Sequence, residues 1–163
     1  MKKLFFVIIS LTLVFSVVYA GDFEYVGAKK CKMCHKGEKK GTVFEKWEAG
    51  PHAKAFETLK KSGDDKKAEC LECHTTAFNA GGYKIGDANA ATFEGVGCES
   101  CHGPGSVYKK MSIMKDRQKA IENGMIIPNE ETCKKCHNKK SPTFKGFDFK
   151  EAWGKINHTY SKK

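Results

Sequence analysis

Four copies of one five-residue pattern constrain this chain more than any other feature. Each copy reads Cys-x-x-Cys-His, and the four copies lie at Cys31–His35, Cys70–His74, Cys98–His102 and Cys133–His137. Two thiols three positions apart can reach the two vinyl groups at one edge of a porphyrin. The histidine that follows then lies under the ring, with a nitrogen directed at the iron. This pattern is the attachment signal for c-type haem.

The motifs predict four haem c groups, each held by two thioether bonds. The attachment residues are Cys31, Cys34, Cys70, Cys73, Cys98, Cys101, Cys133 and Cys136, and the proximal iron ligands are His35, His74, His102 and His137. Cys-x-x-Cys pairs also occur in zinc sites and in redox-active dithiols. A zinc ribbon does not need a histidine after every second cysteine, however, and the four motifs use all 8 cysteines of the chain. The haem interpretation is therefore favoured.

The first 20 residues have the layout of a secretory signal peptide. Lys2 and Lys3 form a charged start, an apolar run extends from Leu4 to Val18, and the small residue Ala20 follows. The run is short for a membrane span, although an uncleaved anchor is the alternative. We expect residues 1–20 to be cleaved and residues 21–163 to form a single tetrahaem domain. Since c-type haem is attached outside the cytoplasm, we expect a periplasmic protein, with the cell exterior as the alternative.

The ratio of polypeptide to cofactor predicts the fold class. After cleavage the chain offers roughly 36 residues per haem, too few for a conventional side-chain core. The haem faces must then supply most of the buried apolar surface. We therefore expect a mainly α protein, with short helices and long loops wrapped around the haems and little or no β structure.

Local patterns place several helices between the motifs. The predicted helices cover Val43–Ala49, Pro51–Lys61 with His52 in the first turn, Asp64–Cys73, Ser106–Asn123 and about Asp148–His158. Asp148 and Glu151 resemble a capping box at the start of the last helix. Residues 75–97 are rich in glycine and are predicted to form a loop, with a hairpin near Gly86 as one alternative.

The number of histidines limits the axial ligands available on the distal side of each haem. Of the 6 histidines in the chain, only His52 and His158 lie outside the motifs, so at most two haems can have two histidine ligands from this chain. Each of the two could instead be an exposed surface residue. Met111 and Met114 are further candidates on one face of the helix after the third motif, where a methionine more often packs than ligates. Lysine, tyrosine, a neighbouring subunit or an open iron complete the alternatives.

The charge of the chain bears on its partners. The formal net charge is +10, and removing residues 1–20 with Lys2 and Lys3 leaves +8. Four haems bring about eight negative propionates, partly offset by about four positive charges from ferric irons. The loaded protein is then only mildly basic, which argues against nucleic acid as a partner. We expect the lysines to compensate the propionates and to attract a redox protein with an acidic docking surface.

Several stretches beyond the haem motifs resemble the cytochrome c-554 family, the tetrahaem electron carriers of ammonia-oxidising bacteria. The similar stretches are Lys29–His35, Trp47 with His52–Ala55, Gly81–Tyr83, Gly95–Gly105 and, more weakly, His158–Tyr160. The resemblance covers nearly the whole of the chain after residue 20. It implies a mainly helical fold in which the haems stack in closely spaced pairs.

The resemblance also implies a set of iron ligands. Family members have three bis-histidine haems and one five-coordinate haem, which implies distal roles for His52 and His158 and makes the haem of His74 the open one. The family places a third distal histidine shortly after the Gly-Pro-Gly of the third motif. Residues 106–116 contain no histidine here but include Met111 and Met114. Either a methionine replaces that ligand or a second haem is open.

Three functions are compatible with these patterns. The first is a periplasmic electron carrier, in which closely spaced haems pass electrons between redox partners. The second is an enzyme that reduces a small molecule such as nitric oxide, nitrite or peroxide at a five-coordinate haem. The third is a subunit of an extracellular haem filament, where a ligand donated by a neighbouring copy would make up the histidine shortage. The motif count and the family resemblance favour the first.

Overall fold

The computed structural model of the chain describes residues 23–158. Within that range the chain forms nine short α-helices. They are α1 (Ala28–His35), α2 (Val43–Ala49), α3 (Ala55–Ser62), α4 (Ala68–His74), α5 (Cys98–His102), α6 (Met111–Met114), α7 (Arg117–Glu122), α8 (Glu130–Lys134) and α9 (Phe149–Ile156). Two 3₁₀ helices, Glu38–Lys40 and Ala90–Phe93, complete the regular structure there. The predicted signal peptide, residues 1–20, lies outside the described residues.

The predicted mainly α fold is confirmed. In the described part of the chain, β structure is limited to a single antiparallel bridge between Thr75 and Glu94. This bridge closes the base of the glycine-rich loop 75–97, which contains one of the 3₁₀ helices but no hairpin strands. No helix within residues 23–158 has the length and apolar character that crossing a bilayer would require.

The predicted helix over Ser106–Asn123 is wrong in its extent. Ser106 does not cap a helix there, because its hydroxyl accepts a hydrogen bond from the backbone N–H of Glu24 at 2.9 Å. The region instead contains the separate helices α6 and α7. Asp116 caps α7, since its carboxylate accepts hydrogen bonds from the N–H groups of Gln118 and Lys119, both at 3.1 Å. Met111 and Met114 therefore lie at the two ends of one short helix.

Two other helices begin later than predicted. Residues 51–54 form a turn, and α3 starts only at Ala55, so His52 lies in the turn that precedes this helix. Likewise, α4 begins at Ala68 and not at Asp64. The prediction for α2 matches the observed bounds, and Asp148 caps α9 by accepting the Glu151 N–H at 2.7 Å.

The polypeptide alone buries only a small apolar core. Its centre is the contact between α3 and α4, where Phe56, Leu59 and Leu71 meet Tyr83 from the glycine-rich loop. The Phe56 and Tyr83 rings lie 5.2 Å apart between centroids. This cluster is small for a domain of this length, in keeping with a fold whose remaining apolar contacts are made with cofactors.

A buried carboxylate joins the first and third motifs. Glu99 lies inside the third motif and is 2% exposed. Its two oxygens accept hydrogen bonds from the backbone N–H groups of Val26 at 3.0 and 3.1 Å, Gly27 at 2.7 Å and Gly105 at 2.6 Å. Both oxygens act as acceptors, so the hydrogen-bonding capacity of this buried side chain is used by the backbone. Glu99 thereby fixes the segment that leads into α1 against the segment that follows α5.

We expect the substitution Glu99→Ala to destabilise the protein strongly. It would leave three backbone N–H groups without this acceptor, those of Gly27 and Gly105 buried and that of Val26 partly buried, at a cost of about 3 kcal/mol in the free energy of unfolding. The melting temperature of the holoprotein, followed by circular dichroism, should fall by about 10 °C. The matched control is Glu72→Ala, which removes an exposed glutamate from the second motif. Equal losses of stability in the two variants would contradict the role assigned to Glu99.

Candidate haem-binding and iron-ligating site

Short helices carry the paired cysteines of the motifs. The first, second and third motifs end α1, α4 and α5, and in each case the histidine is the last helical residue. Residues three apart on a helix share one face, so both thiols of such a motif are presented to the same side. The fourth motif begins in α8, and its Cys136 and His137 follow in the turn beyond Lys134.

The thiols of different motifs lie next to one another in a definite order. The side chain of Cys98 lies beside that of Cys31 and lowers its pKa, which places the first and third motifs next to each other. Burial raises the pKa of Cys136 and the neighbouring Cys73 raises it further, which places the fourth motif next to the second. Cys101 of the third motif lies within electrostatic range of Cys133 of the fourth. These neighbours place the third motif beside the first and the fourth, and the fourth motif beside the second.

The two histidines outside the motifs each face a motif histidine. The rings of His52 and His137 have centroids 6.0 Å apart, with 64° between their planes. The rings of His102 and His158 also have centroids 6.0 Å apart, with 71° between their planes. Two imidazole nitrogens, each about 2 Å from a shared metal ion, would place their ring centres about 6 Å apart. The spacing of both pairs therefore fits a pair of imidazoles on opposite sides of one iron.

Backbone carbonyl groups orient three of these imidazoles. The ring nitrogen Nδ1 of His74 lies 2.8 Å from the Ala55 carbonyl oxygen, that of His102 lies 3.2 Å from Ile126 O, and that of His158 lies 3.0 Å from Ile156 O. A carbonyl can only accept a hydrogen bond, so Nδ1 carries the proton in each ring. The other nitrogen, Nε2, then keeps its lone pair for a metal.

Burial keeps several of the imidazoles in the neutral form that binds metals. It lowers the pKa of His52 below its usual value, and the neighbouring His137 lowers it further. Burial likewise lowers the pKa of His35, with smaller contributions from Lys40 and His158. The pKa of His102 is lowered for the same reason, against the opposing effect of its hydrogen bond with Ile126. Desolvation disfavours the protonated ring, which has no lone pair to offer.

The haems of the first and second motifs have no histidine from outside the motifs that could serve as a second iron ligand. The full sequence has 6 histidines, and the two facing pairs account for every one except His35 and His74. Of the methionine candidates, Met111 is 64% exposed at one end of α6, whereas Met114 at the other end is half-buried. Met114 is therefore the better placed of the two to contact a buried group.

The thiols and imidazoles of the described residues are arranged in motif pairs. Residues 23–158 include all the cysteines and histidines, and within them no three side chains of His, Cys, Asp or Glu converge as a group able to hold a metal ion. A structural zinc site needs four such ligands around one point. The thiols are instead distributed as motif pairs, each followed by an imidazole, as covalent haem attachment requires. The residues present fit haem c.

The turn that carries His52 is fixed by the glycine-rich segment before the third motif. The Val96 N–H donates to the His52 carbonyl at 2.9 Å, and the Trp47 indole N–H donates to the Val96 carbonyl at 2.9 Å. Gly95 has a φ of +80°, and a Cβ atom there would lie 2.6 Å from the Ala53 carbonyl oxygen. Only glycine allows the two backbone segments to approach this closely.

Sequence reasoning missed two groups near the paired rings. Phe147 stacks on His137, with ring centroids 4.9 Å apart and planes 21° apart. Thr76 lies buried between the second and third motifs, where its hydroxyl donates to the Gly95 carbonyl at 3.0 Å and accepts the Gly97 N–H at 2.9 Å. Neither residue belongs to a motif. Both positions depend on contacts between segments distant in sequence.

The comparisons with known proteins agree with one another. Residues 30–103 match the family model described as cytochrome c554 and c-prime. Cytochrome c-554 of Nitrosomonas europaea is 32% identical over 155 residues, an alignment that covers 78% of this chain and 63% of that relative. The chain thus spans less than two thirds of the relative's length. The solved structure of the reduced state of cytochrome c554 from the same organism matches with a TM-score of 0.58 and 30% identity, covering 79% of this chain and 73% of that one.

We expect the substitution Gly95→Ala to displace the turn that carries His52. The matched control is Gly86→Ala, because Gly86 has a similar φ of +78° but nothing within 4 Å of an added Cβ. Both variants pay about 1–3 kcal/mol for the unfavourable φ. Only Gly95→Ala adds a steric cost, of about 1–3 kcal/mol, from the forced contact with Ala53. Chemical denaturation of the two holoproteins measures the difference, and equal stabilities would contradict the assigned contact.

Proposed function

Because the chain belongs to the cytochrome c-554 family, as the sequence resemblance predicted, we propose that it is an electron carrier. It would hold four haem c groups and pass electrons between redox proteins in the periplasm. The observation that carries this proposal is that two pairs of imidazoles face each other. They are His52 with His137 and His102 with His158, and the ring centroids in each pair lie 6.0 Å apart. A saturated iron is suited to electron exchange, since it offers no position for a substrate.

The polypeptide has three tasks in this function. The cysteine pairs anchor each haem at one edge, and each bound haem supplies an iron that alternates between the ferric and ferrous states. Where two imidazoles face each other, they would hold a bound iron in the low-spin state. The carbonyl groups of Ala55, Ile126 and Ile156 hold three of those imidazoles in the tautomer that leaves Nε2 free.

These pairs support a proposal for the distal ligands. His52 serves the haem of the fourth motif, opposite His137, and His158 serves the haem of the third motif, opposite His102. The haems of His35 and His74 then lack a second histidine from this chain. Met114 is the proposed methionine ligand for the first haem, with the exposed Met111 as the alternative.

We propose that the haems form a row in the order first, third, fourth, second, along which the electrons pass. Neighbouring thiols join the first motif to the third, the third to the fourth and the fourth to the second. The haems of the first and second motifs then lie at the two ends of the row. Electrons would enter at one end and leave at the other, and acidic redox proteins are the proposed partners.

The proposed site of action is the periplasm. Residues 1–20 would direct export and be removed, leaving residues 21–163 as one tetrahaem domain. The attachment of haem to Cys-x-x-Cys-His takes place outside the cytoplasm, so export precedes the loading of all four motifs.

A second candidate function rests on the histidine shortage. His74 is fixed by the Ala55 carbonyl at 2.8 Å and has no second histidine available. An iron with one open position can take a small ligand such as nitric oxide, nitrite or peroxide. Reduction of that ligand, with electrons from the other three haems, is the alternative activity.

Removing either proposed distal histidine should convert one haem from low spin to high spin. We expect electron paramagnetic resonance of the oxidised His52→Ala protein to show one more high-spin iron than the wild type, and the same for His158→Ala. Lys54→Ala, an exposed change close to His52, is the control and should leave the spectrum unchanged. Mass spectrometry should find four attached haems in every variant. A low-spin spectrum retained in both histidine variants would exclude the assigned ligands, and a mass without four haems would exclude the cofactor count.

Carbon monoxide separates a methionine-ligated first haem from an open one. We expect the reduced double variant Met111→Leu, Met114→Leu to bind carbon monoxide at two haems, those of His35 and His74. If methionine ligates the first haem, the wild type should bind carbon monoxide at one haem under the same conditions. Equal stoichiometry in the two proteins would mean that neither methionine is a ligand, and no binding in either would exclude the reductase candidate. Optical titration of the reduced proteins provides the stoichiometry.

A further inference from the structure

Exposed lysines are concentrated around the first haem motif. Six of them lie within residues 29–40, namely Lys29, Lys30, Lys32, Lys36, Lys39 and Lys40. Within the same twelve residues Glu38 is the only acidic side chain, and Lys32 forms an ion pair with Glu48 of α2 at 3.7 Å. A large part of the positive charge of the chain is therefore carried by α1 and the turn that follows it.

These lysines surround an exposed apolar side chain. Met33 lies between the two cysteines of the first motif and is 75% exposed, the highest value among the large hydrophobic side chains of the described residues. Lys29 and Lys30 precede it by one turn of α1, and Lys36 directly follows that helix. Residues three and four apart are neighbours on a helix surface, so Lys29 and Lys30 lie beside Met33. Cys34, which belongs to the same motif, is also exposed.

The other motifs do not share this combination. Near the second motif, Lys67 is paired with Asp64 at 2.7 Å, and Asp65, Glu69 and Glu72 add negative charge. In the fourth motif Lys134 forms ion pairs with Glu130 at 2.8 Å and Glu131 at 3.6 Å. Lys135, Lys139 and Lys140 are exposed there, but the fourth motif lies inside the proposed row of haems.

We propose that the Met33 face, defined as Met33 with Lys29, Lys30 and Lys36, is the docking surface for a negatively charged redox protein that exchanges electrons with the haem of the first motif. This inference rests on the proposed electron-carrier function and locates one of its two partner sites. The transferred species is one electron, which moves from the reduced partner to the ferric iron. No bond forms or breaks, and the partner is oxidised by one electron.

The physical basis is a division of roles between charge and apolar contact. Exposed lysines raise the rate at which an acidic partner arrives, an effect screened by salt. Met33 provides a flexible apolar contact at the centre, of a kind enriched at interfaces. Met33 lies between the two cysteines of the first motif, so the contact would be close to the haem that those cysteines would hold. A small interface of this type suits a complex that must dissociate after each transfer.

The test compares two charge-reversal variants of the loaded protein. The first is Lys29→Glu, Lys30→Glu, Lys36→Glu at the Met33 face. The control is Lys135→Glu, Lys139→Glu, Lys140→Glu near the fourth motif, which changes the net charge by the same amount through three exposed lysines. The probe is a strongly acidic plant-type [2Fe–2S] ferredoxin, reduced photochemically and mixed with the oxidised cytochrome in a stopped-flow instrument. The measurement is the second-order rate of haem reduction at low and high salt.

We expect the Met33-face variant to react about tenfold or more slowly than the wild type at low salt, and the control variant to differ from the wild type by less than about threefold. The difference should shrink at high salt, because screening removes the steering. Equal losses in the two variants would mean that net charge alone sets the rate, and no loss in either would mean that the partner docks elsewhere. Either result would overturn the proposal.

Direct reduction separates this proposal from the proposed function. Dithionite should reduce all four haems of the wild type and of both variants, whatever the docking surface. If the wild-type haems do not cycle between the oxidised and reduced states, the electron-carrier function fails. If they do cycle and the two charge variants react alike with the ferredoxin, only the docking surface fails.

A substitution at the centre of the face tests the apolar contact independently. We expect Met33→Ser to slow the reaction with the ferredoxin at high salt, where the lysines contribute little. The exposed Ile85→Ser, on the glycine-rich loop, is the matched control. An unchanged rate for Met33→Ser would show that the apolar centre takes no part in docking and would overturn its assignment to the face.

Discussion

The distance between facing imidazoles is the constraint on which the functional structure depends. A metal bound by two histidines on opposite sides fixes their ring centres at about 6 Å, and a shift of a fraction of that distance breaks one bond. In this chain the two members of each pair come from segments far apart in sequence, His52 with His137 and His102 with His158. The fold must therefore hold distant segments in register with little apolar core of its own.

Hydrogen bonds to the backbone, more than side-chain packing, hold these distant segments in register. The Glu99 carboxylate accepts hydrogen bonds from three N–H groups, two in the segment before α1 and one in the segment after α5. Val96 links the turn that carries His52 to the Trp47 side chain. The ring of His102 and its own carbonyl both contact Ile126, at 3.2 and 2.8 Å. Such bonds are directional, so they can fix the position of a ring without the volume of a conventional core. This matters in a chain with few residues per cofactor, which has little volume for an apolar core.

The sequence was most informative where the chemistry is local. The haem motifs, the mainly α character, the bounds of α2 and the cap at Asp148 all follow from residues within a few positions of one another. The failed helix over Ser106–Asn123 shows the limit, because the Ser106 hydroxyl is engaged by Glu24, more than 80 positions away. The same holds for the pairing of His52 with His137. Counting histidines identifies the candidates, but only the folded chain specifies which motif histidine each one faces.

The two ends of the proposed row of haems differ in the charge of the side chains around them. Both ends belong to motifs without a second histidine, but their surroundings differ, since lysines dominate around the first motif and carboxylates are more frequent around the second. Buried Glu99 belongs to the third motif and so lies at neither end, and it does not alter this contrast. Exposed lysines act over about a Debye length, roughly 10 Å at 0.1 M salt, which is comparable to the width of a short helix with its side chains. The two ends can therefore distinguish partners by charge even though the same chemistry serves both.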